Sequence, residues 1–135
     1  MADIDLKELF NQKEREFKSE GNGLVRFEKD FTSAVNWSIG KINRQANLSP
    51  RISKVTSPSG TVELDDEYMD VLSDAVTLRL IQFGQRMRND DIDVKIIAAT
   101  IDENIDMIRQ DILNALIDAD TDDETSYVGI GALGN

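Results

Sequence analysis

An all-α domain is the fold class this sequence predicts: a small bundle of three long helices and a shorter N-terminal one, with a β-hairpin at about 51–64 and an extended C-terminal arm. Apolar residues recur at helical spacing over Leu24–Ala46, Asp66–Gln85 and Asp93–Ile117. Short clusters rich in Gly, Pro, Ser, Asn and Asp separate these runs. The 135 residues suit one domain, large enough to fold without disulfides or metals. The helical domain is expected over 1–117, with 118–135 as an acidic linker and flexible arm.

In chain order, Asp3–Ser19 carries Leu6, Leu9, Phe10 and Phe17 on one side and Lys7, Glu14, Arg15 and Lys18 elsewhere. That pattern predicts a short amphipathic helix, with Asp5 and Glu8 spaced as a capping box. Gly21, Asn22 and Gly23 then break the chain into a turn.

The helix over Leu24–Ala46 has one packed face, made by Leu24, Phe27, Phe31, Val35, Ile42 and Ala46 and flanked by Ala34 and Ile39. Trp37 lies off that face. It is to be covered by a neighbouring segment of its own chain or to serve as a subunit interface. Gly40, inside the helix, costs about 1 kcal/mol relative to Ala and permits a close backbone approach. The next stretch, RISKVTSPSGTVEL from Arg51 to Leu64, places β-branched residues on either side of Ser57-Pro58-Ser59-Gly60. A type I turn with Pro second and Gly last predicts a hairpin there. Two strands alone are marginal in water, so the hairpin should lie on the helices or meet another subunit.

Leu64–Met87 is the stretch against which the others pack. Asp65 or Asp66 can cap its start, and the acidic cluster through Glu67 suits the positive end of the helix dipole. Met69, Leu72, Val76, Leu80, Phe83 and Met87 form one ridge, and Tyr68, Val71, Ala75 and Leu78 a second. A helix apolar over so much of its girth has partners on two sides, and Gly84 begins its end. After a polar connector, Asp91 or Asp93 caps the final helix. Its stripe is narrow: Val94, Ile97, Ala98, Ile101, Ile105, Ile108, Ile112 and Leu116.

Composition limits the chemistry. The chain has no cysteine and no histidine, which removes thiol and imidazole catalysis and the common zinc sites. No catalytic, cofactor or metal residues are expected. The start ADIDLKELF is polar, so no signal peptide is expected, and no apolar run is long enough to span a membrane. A formal net charge of −11 opposes gripping nucleic acid through its phosphates, yet suits a surface that repels DNA or imitates it.

Three motifs fail on context. Gly129, Gly131 and Gly134 spell GxGxxG, but one residue follows and no helix start is there to hold a phosphate. Asp118, Asp120 and Asp122 have EF-hand spacing, while Asp123 stands where the loop needs Gly and Gly129 where it needs Glu. Asp102, Glu103 and Asp106 lie within about a turn of one helix, without histidine or facing carboxylates, and read as a solvated face.

At FTSAVNWSIGKINRQA, RISKVTSPSGTVEL and above all LDDEYMDVLSDAVTLRLIQFGQRM, the chain resembles the small head-to-tail connector adaptors of tailed bacteriophages. The likeness spans Phe31 to Leu133 and lies in layout rather than in any catalytic signature. It implies a structural virion protein in the neck between head and tail, made in the host cytoplasm, with portal and tail or nozzle proteins as partners. Twelve copies would form a ring that prolongs the channel through which DNA passes without specific binding. The resemblance also implies that the C-terminal arm, Ser126, Tyr127, Val128, Gly129, Ile130, Gly131, Ala132 and Leu133, docks on the portal or a neighbouring subunit. An acidic DNA mimic and a small regulatory helical module remain as alternatives from other classes.

Overall fold

The computed structural model describes residues 3–17, 23–88 and 93–125. The protein is mostly helical, with one two-stranded antiparallel sheet among the described residues. In chain order come β1 (Asp3–Asp5), α1 (Leu6–Glu16), α2 (Gly23–Gln45), β2 (Thr61–Asp65), a 3-10 turn (Asp66–Tyr68), α3 (Met69–Gln82) and α4 (Val94–Thr125).

The N-terminal segment departs from the expected helix. Asp3–Asp5 forms a strand paired with β2, Ile4 opposite Val62 and Asp5 opposite Thr61. Ile4, Val62 and Leu64 turn inward while Asp3, Asp5, Thr61 and Glu63 face out, the period of two that a half-buried strand requires. Three residues are too few for that alternation to stand out from a helical pattern. The Asp5 carboxylate then caps α1 by accepting the Lys7 amide at 3.0 Å.

The expected hairpin over 51–64 is likewise corrected. Its second strand and its turn form, the Gly60 amide donating to the Ser57 carbonyl at 3.3 Å, but β2 pairs with β1 and Arg51–Thr56 is no strand. Two asparagines of α2 take the place of a partner strand. Asn43 donates to the Ile52 carbonyl at 3.0 Å and accepts the Ile52 amide at 2.9 Å. Asn36 does the same for Val55, at 2.9 and 2.8 Å. Seven residues apart, the two asparagines share one face of α2 and clamp the strip while Ile52 and Val55 enter the core.

Both α2 and α3 end at a residue in the left-handed conformation, spanned by a bond that closes the last turn. Leu48 donates to the Asn43 carbonyl around Asn47 at φ 54°, and Gln85 donates to the Leu80 carbonyl around Gly84 at φ 89°. α3 is central, as its two apolar ridges predict: it packs on α2 and on α4, and Val71, Leu72, Ala75, Val76, Leu78 and Leu80 are buried. Asp65 accepts the Glu67 amide and caps the 3-10 turn that leads into it, while Tyr68, the residue just before α3, makes no side-chain cap bond. One core joins α1, α2, α3, α4 and the sheet, and it includes an aromatic group of Phe10, Phe17, Phe27 and Phe31 with Phe10 edge-on to Phe31 at 5.1 Å.

Gly40 admits no backbone neighbour. A Cβ there would stand 3.3 Å from Nη1 of Arg44, so the missing side chain leaves room for a guanidinium. The last helix exceeds its expected end at Ile117 and continues to Thr125, through the acidic stretch expected to be a linker. The expected arm, Ser126–Leu133, and its glycines lie outside the described residues.

Candidate functional site

α4 is the element whose surface is least accounted for by its own chain. Asp93 starts it by accepting the Lys95 and Ile96 amides at 3.0 and 3.4 Å. Ile101, Ile105 and Ile108 are fully buried against the rest of the protein, and Ile97, Ala98 and Ile112 pack beside them. Beyond that point burial ends. Among the described residues, the exposed large apolar side chains are Val94, Ile96, Met107, Leu113, Leu116 and Ile117, and all six belong to α4. Leu116 and Ile117 are 57% and 59% exposed, against 0% for Ile105 about three turns earlier on the same helix.

A hydrogen bond marks the limit of the packed half. The Tyr68 hydroxyl, at the start of α3, donates to the Asp111 carboxylate at 2.9 Å, so α4 leaves the domain at the end where α3 begins. From Leu113 to Ile117 the described side chains of the helix are exposed, and its backbone runs on to Thr125. Burial, the bond to Asp111 and the nearby Glu67 push the Tyr68 hydroxyl well above the ordinary tyrosine range, because each disfavours a second negative charge there.

Trp37, expected to be covered by its own chain or to form a subunit contact, is half-buried against the core. Its ring faces two cations: Arg79 lies 5.2 Å from the centroid and the Lys41 amine 5.9 Å. Arg79 also packs on Phe83 at 4.7 Å. Lys41 in turn pairs with Asp102 of α4 at 3.0 Å, which ties α4 to α2. Glu103 and Asp106 are exposed. The trio Asp102, Glu103 and Asp106 does not converge, and no group of three or more metal-binding side chains occurs among the described residues. For Asp118, Asp120 and Asp122 the backbone is helical, whereas a calcium loop must wrap its ion.

Comparison with protein-family models, curated proteins and solved structures finds no match.

Charge is strongly segregated. Residues 31–62 hold Lys41, Arg44, Arg51 and Lys54 and no acidic residue, so all twenty-six carboxylates belong to the rest of the chain. Arg44, Arg51 and Lys54 are exposed on the flank made by the end of α2 and the clamped strip, next to half-buried Leu48 and exposed Pro50. A smaller electrostatic knot joins α1 to α3. Lys13 is 3% exposed, bonds Glu16 at 3.1 Å, and draws the Asp74 carboxyl downward, while burial pushes Asp74 up by more. The exposed α4 residues are the functional candidates that stripe counting misses. Ile96, Met107, Leu113 and Ile117 stand off the stripe, and an apolar residue off an already filled stripe is the signal that finds them.

Proposed function

We propose that this chain is a structural connector subunit of a tailed-phage virion, an adaptor that assembles as a ring beneath the portal, extends the DNA channel and offers the tail its attachment surface. The observation that carries the reading is the apolar surface of α4: large exposed side chains gathered on one helix suit a subunit whose burial is completed by neighbours. Two further features support it. The formal charge of −11 gives a lumen that does not hold DNA by its phosphates. The resemblance over Phe31–Leu133 supplies the ring, commonly twelve-fold, and the portal as partner.

In this reading the three long helices form the ring body as a bundle and the residues from Ser126 to Leu133 reach the portal. Trp37 lies near a subunit boundary, and no catalysis or cofactor is involved. No helix among the described residues is long and apolar enough to cross a membrane. The test is electron microscopy of the purified protein alone and mixed with its portal ring. A closed ring with a central opening is expected in at least the mixture; a monomer or dimer under both conditions overturns the reading.

A further inference from the structure

Two stretches of the chain carry charge of a single sign and do not neutralise each other. Residues 31–62 hold four cations and no carboxylate, and between Lys54 and Arg79 stand six carboxylates and no cation. The fold puts both on display. Arg44, Arg51 and Lys54 are exposed on the basic flank, whereas Asp3, Asp5 and Glu63 are exposed on the outer face of the sheet and Asp66 on the turn that follows it. The ion pairs found among the described residues are Lys13 with Glu16, Arg26 with Asp30 and Lys41 with Asp102, and none joins the flank to the sheet face. We propose that the basic flank of one copy docks on the acidic sheet face of a second copy, with Arg44, Arg51 and Lys54 opposite Asp3, Asp5, Glu63 and Asp66.

Charge complementarity selects the occupant. A formal charge of −11 makes copies repel overall, so the favoured encounter is the one that brings cations of one copy onto carboxylates of the next. Flank against flank sets cations together, and sheet face against sheet face sets carboxylates together. Both surfaces also stand on fixed backbone: the asparagine clamps hold the flank at Ile52 and Val55, and strand pairing holds the sheet. Little main-chain freedom is therefore lost when they meet. Exposed ion pairs are individually weak, so this contact fixes orientation and register more than affinity. It joins two different patches, and repetition closes into a ring when the rotation allows it. The contact deepens the connector reading, on which it rests for that ring, by naming how neighbours face each other.

Two charge-reversed proteins test it. Arg51→Glu with Lys54→Glu reverses the flank, and Glu63→Lys with Asp66→Lys reverses the sheet face; all four side chains are exposed. Sedimentation of concentrated wild type at about 0.15 M salt, where charges beyond about 8 Å are screened, should show self-association that disappears at about 1 M. Each reversed protein alone should associate at least about tenfold more weakly, since attraction becomes repulsion. An equimolar mixture of the two should recover, because the acidic flank of one then meets the basic sheet face of the other. Misfolding cannot produce that recovery. A wild type that stays monomeric at the lower salt, a reversed protein that associates as the wild type does, or a mixture that fails to recover overturns the contact. So does a flank that takes up duplex DNA or a foreign acidic protein while copies ignore one another. Rings built on the portal by the flank-reversed protein sink this contact and leave the connector reading standing; association that passes these tests with no ring on the portal does the reverse.

Discussion

The two halves of α4 carry similar side chains and meet different fates. Ile101, Ile105 and Ile108 are buried under α2 and α3, whereas Leu113, Leu116 and Ile117 stand in solvent on an unbroken continuation of the same helix. The difference lies in the partner. α3 begins at Met69, next to Tyr68 and its bond to Asp111, and just beyond that level Leu113, Leu116 and Ile117 are exposed. Hydrophobic periodicity reports which face of a helix seeks burial and carries no information about where the neighbouring element stops.

Substitutions sharpen this contrast. The largest effect is expected at Ile105→Ala, which should lower the unfolding free energy by about 2–5 kcal/mol in a denaturant melt, because it opens a cavity in a closed core. A loss below that range would mean α4 is no better packed inside than outside. Asn43→Ala should cost about 1–3 kcal/mol, since it leaves the buried Ile52 amide and carbonyl without partners. The same melt reads it.

Tyr68→Phe removes the bond that marks the boundary between the halves and should cost about 1 kcal/mol or less at this exposed site. Its pH signature is more informative. The folded protein holds the Tyr68 proton to a pH above the ordinary tyrosine value of 10.0, so the unfolded chain releases it first. That part of the stability is complete below about pH 10 and lost as pH rises beyond it. Ultraviolet titration should show one of the two tyrosines ionising late in the wild type, and the late phase should be missing in Tyr68→Phe. The smallest effect belongs to Leu116→Ala, expected to change stability by no more than about 0.5 kcal/mol in the monomer. A loss as large as that of Ile105→Ala would place Leu116 in a core.

Much of the helical framework was legible in the residues. The ridges of α3, the capping by Asp65 of the turn that leads into it, the termination at Gly84 and the packed face of α2 follow from spacing and local chemistry. The strand pairing was not, because β1 and β2 are separated by more than fifty residues and β1 is only three long. A hairpin between 51 and 64 is the shorter-range solution, and it loses because Asn36 and Asn43 already occupy the main chain at Ile52 and Val55. Asparagines at positions seven apart on a helix look like ordinary polar surface until the strip they hold is known. The acidic end of α4 resembles a linker in sequence because five carboxylates in seven residues suit a solvated segment, and high charge is compatible with helix as well. As for the site, Trp37 stands out in the sequence by its place off the packed face, while the clarity of the α4 stripe masks the exposed apolar residues beside it.

The asparagine clamps separate what the strip is from what it displays. Asn36 and Asn43 grip only backbone atoms, and Ile52 and Val55 supply the anchorage, so Arg51, Ser53 and Lys54 point outward with no duty to the fold. Those three positions can be rewritten over generations, toward other charges or sizes, without disturbing the architecture beneath. A lineage carrying this scaffold can therefore change the chemistry that this flank displays at little thermodynamic risk, and divergence among its descendants should concentrate there.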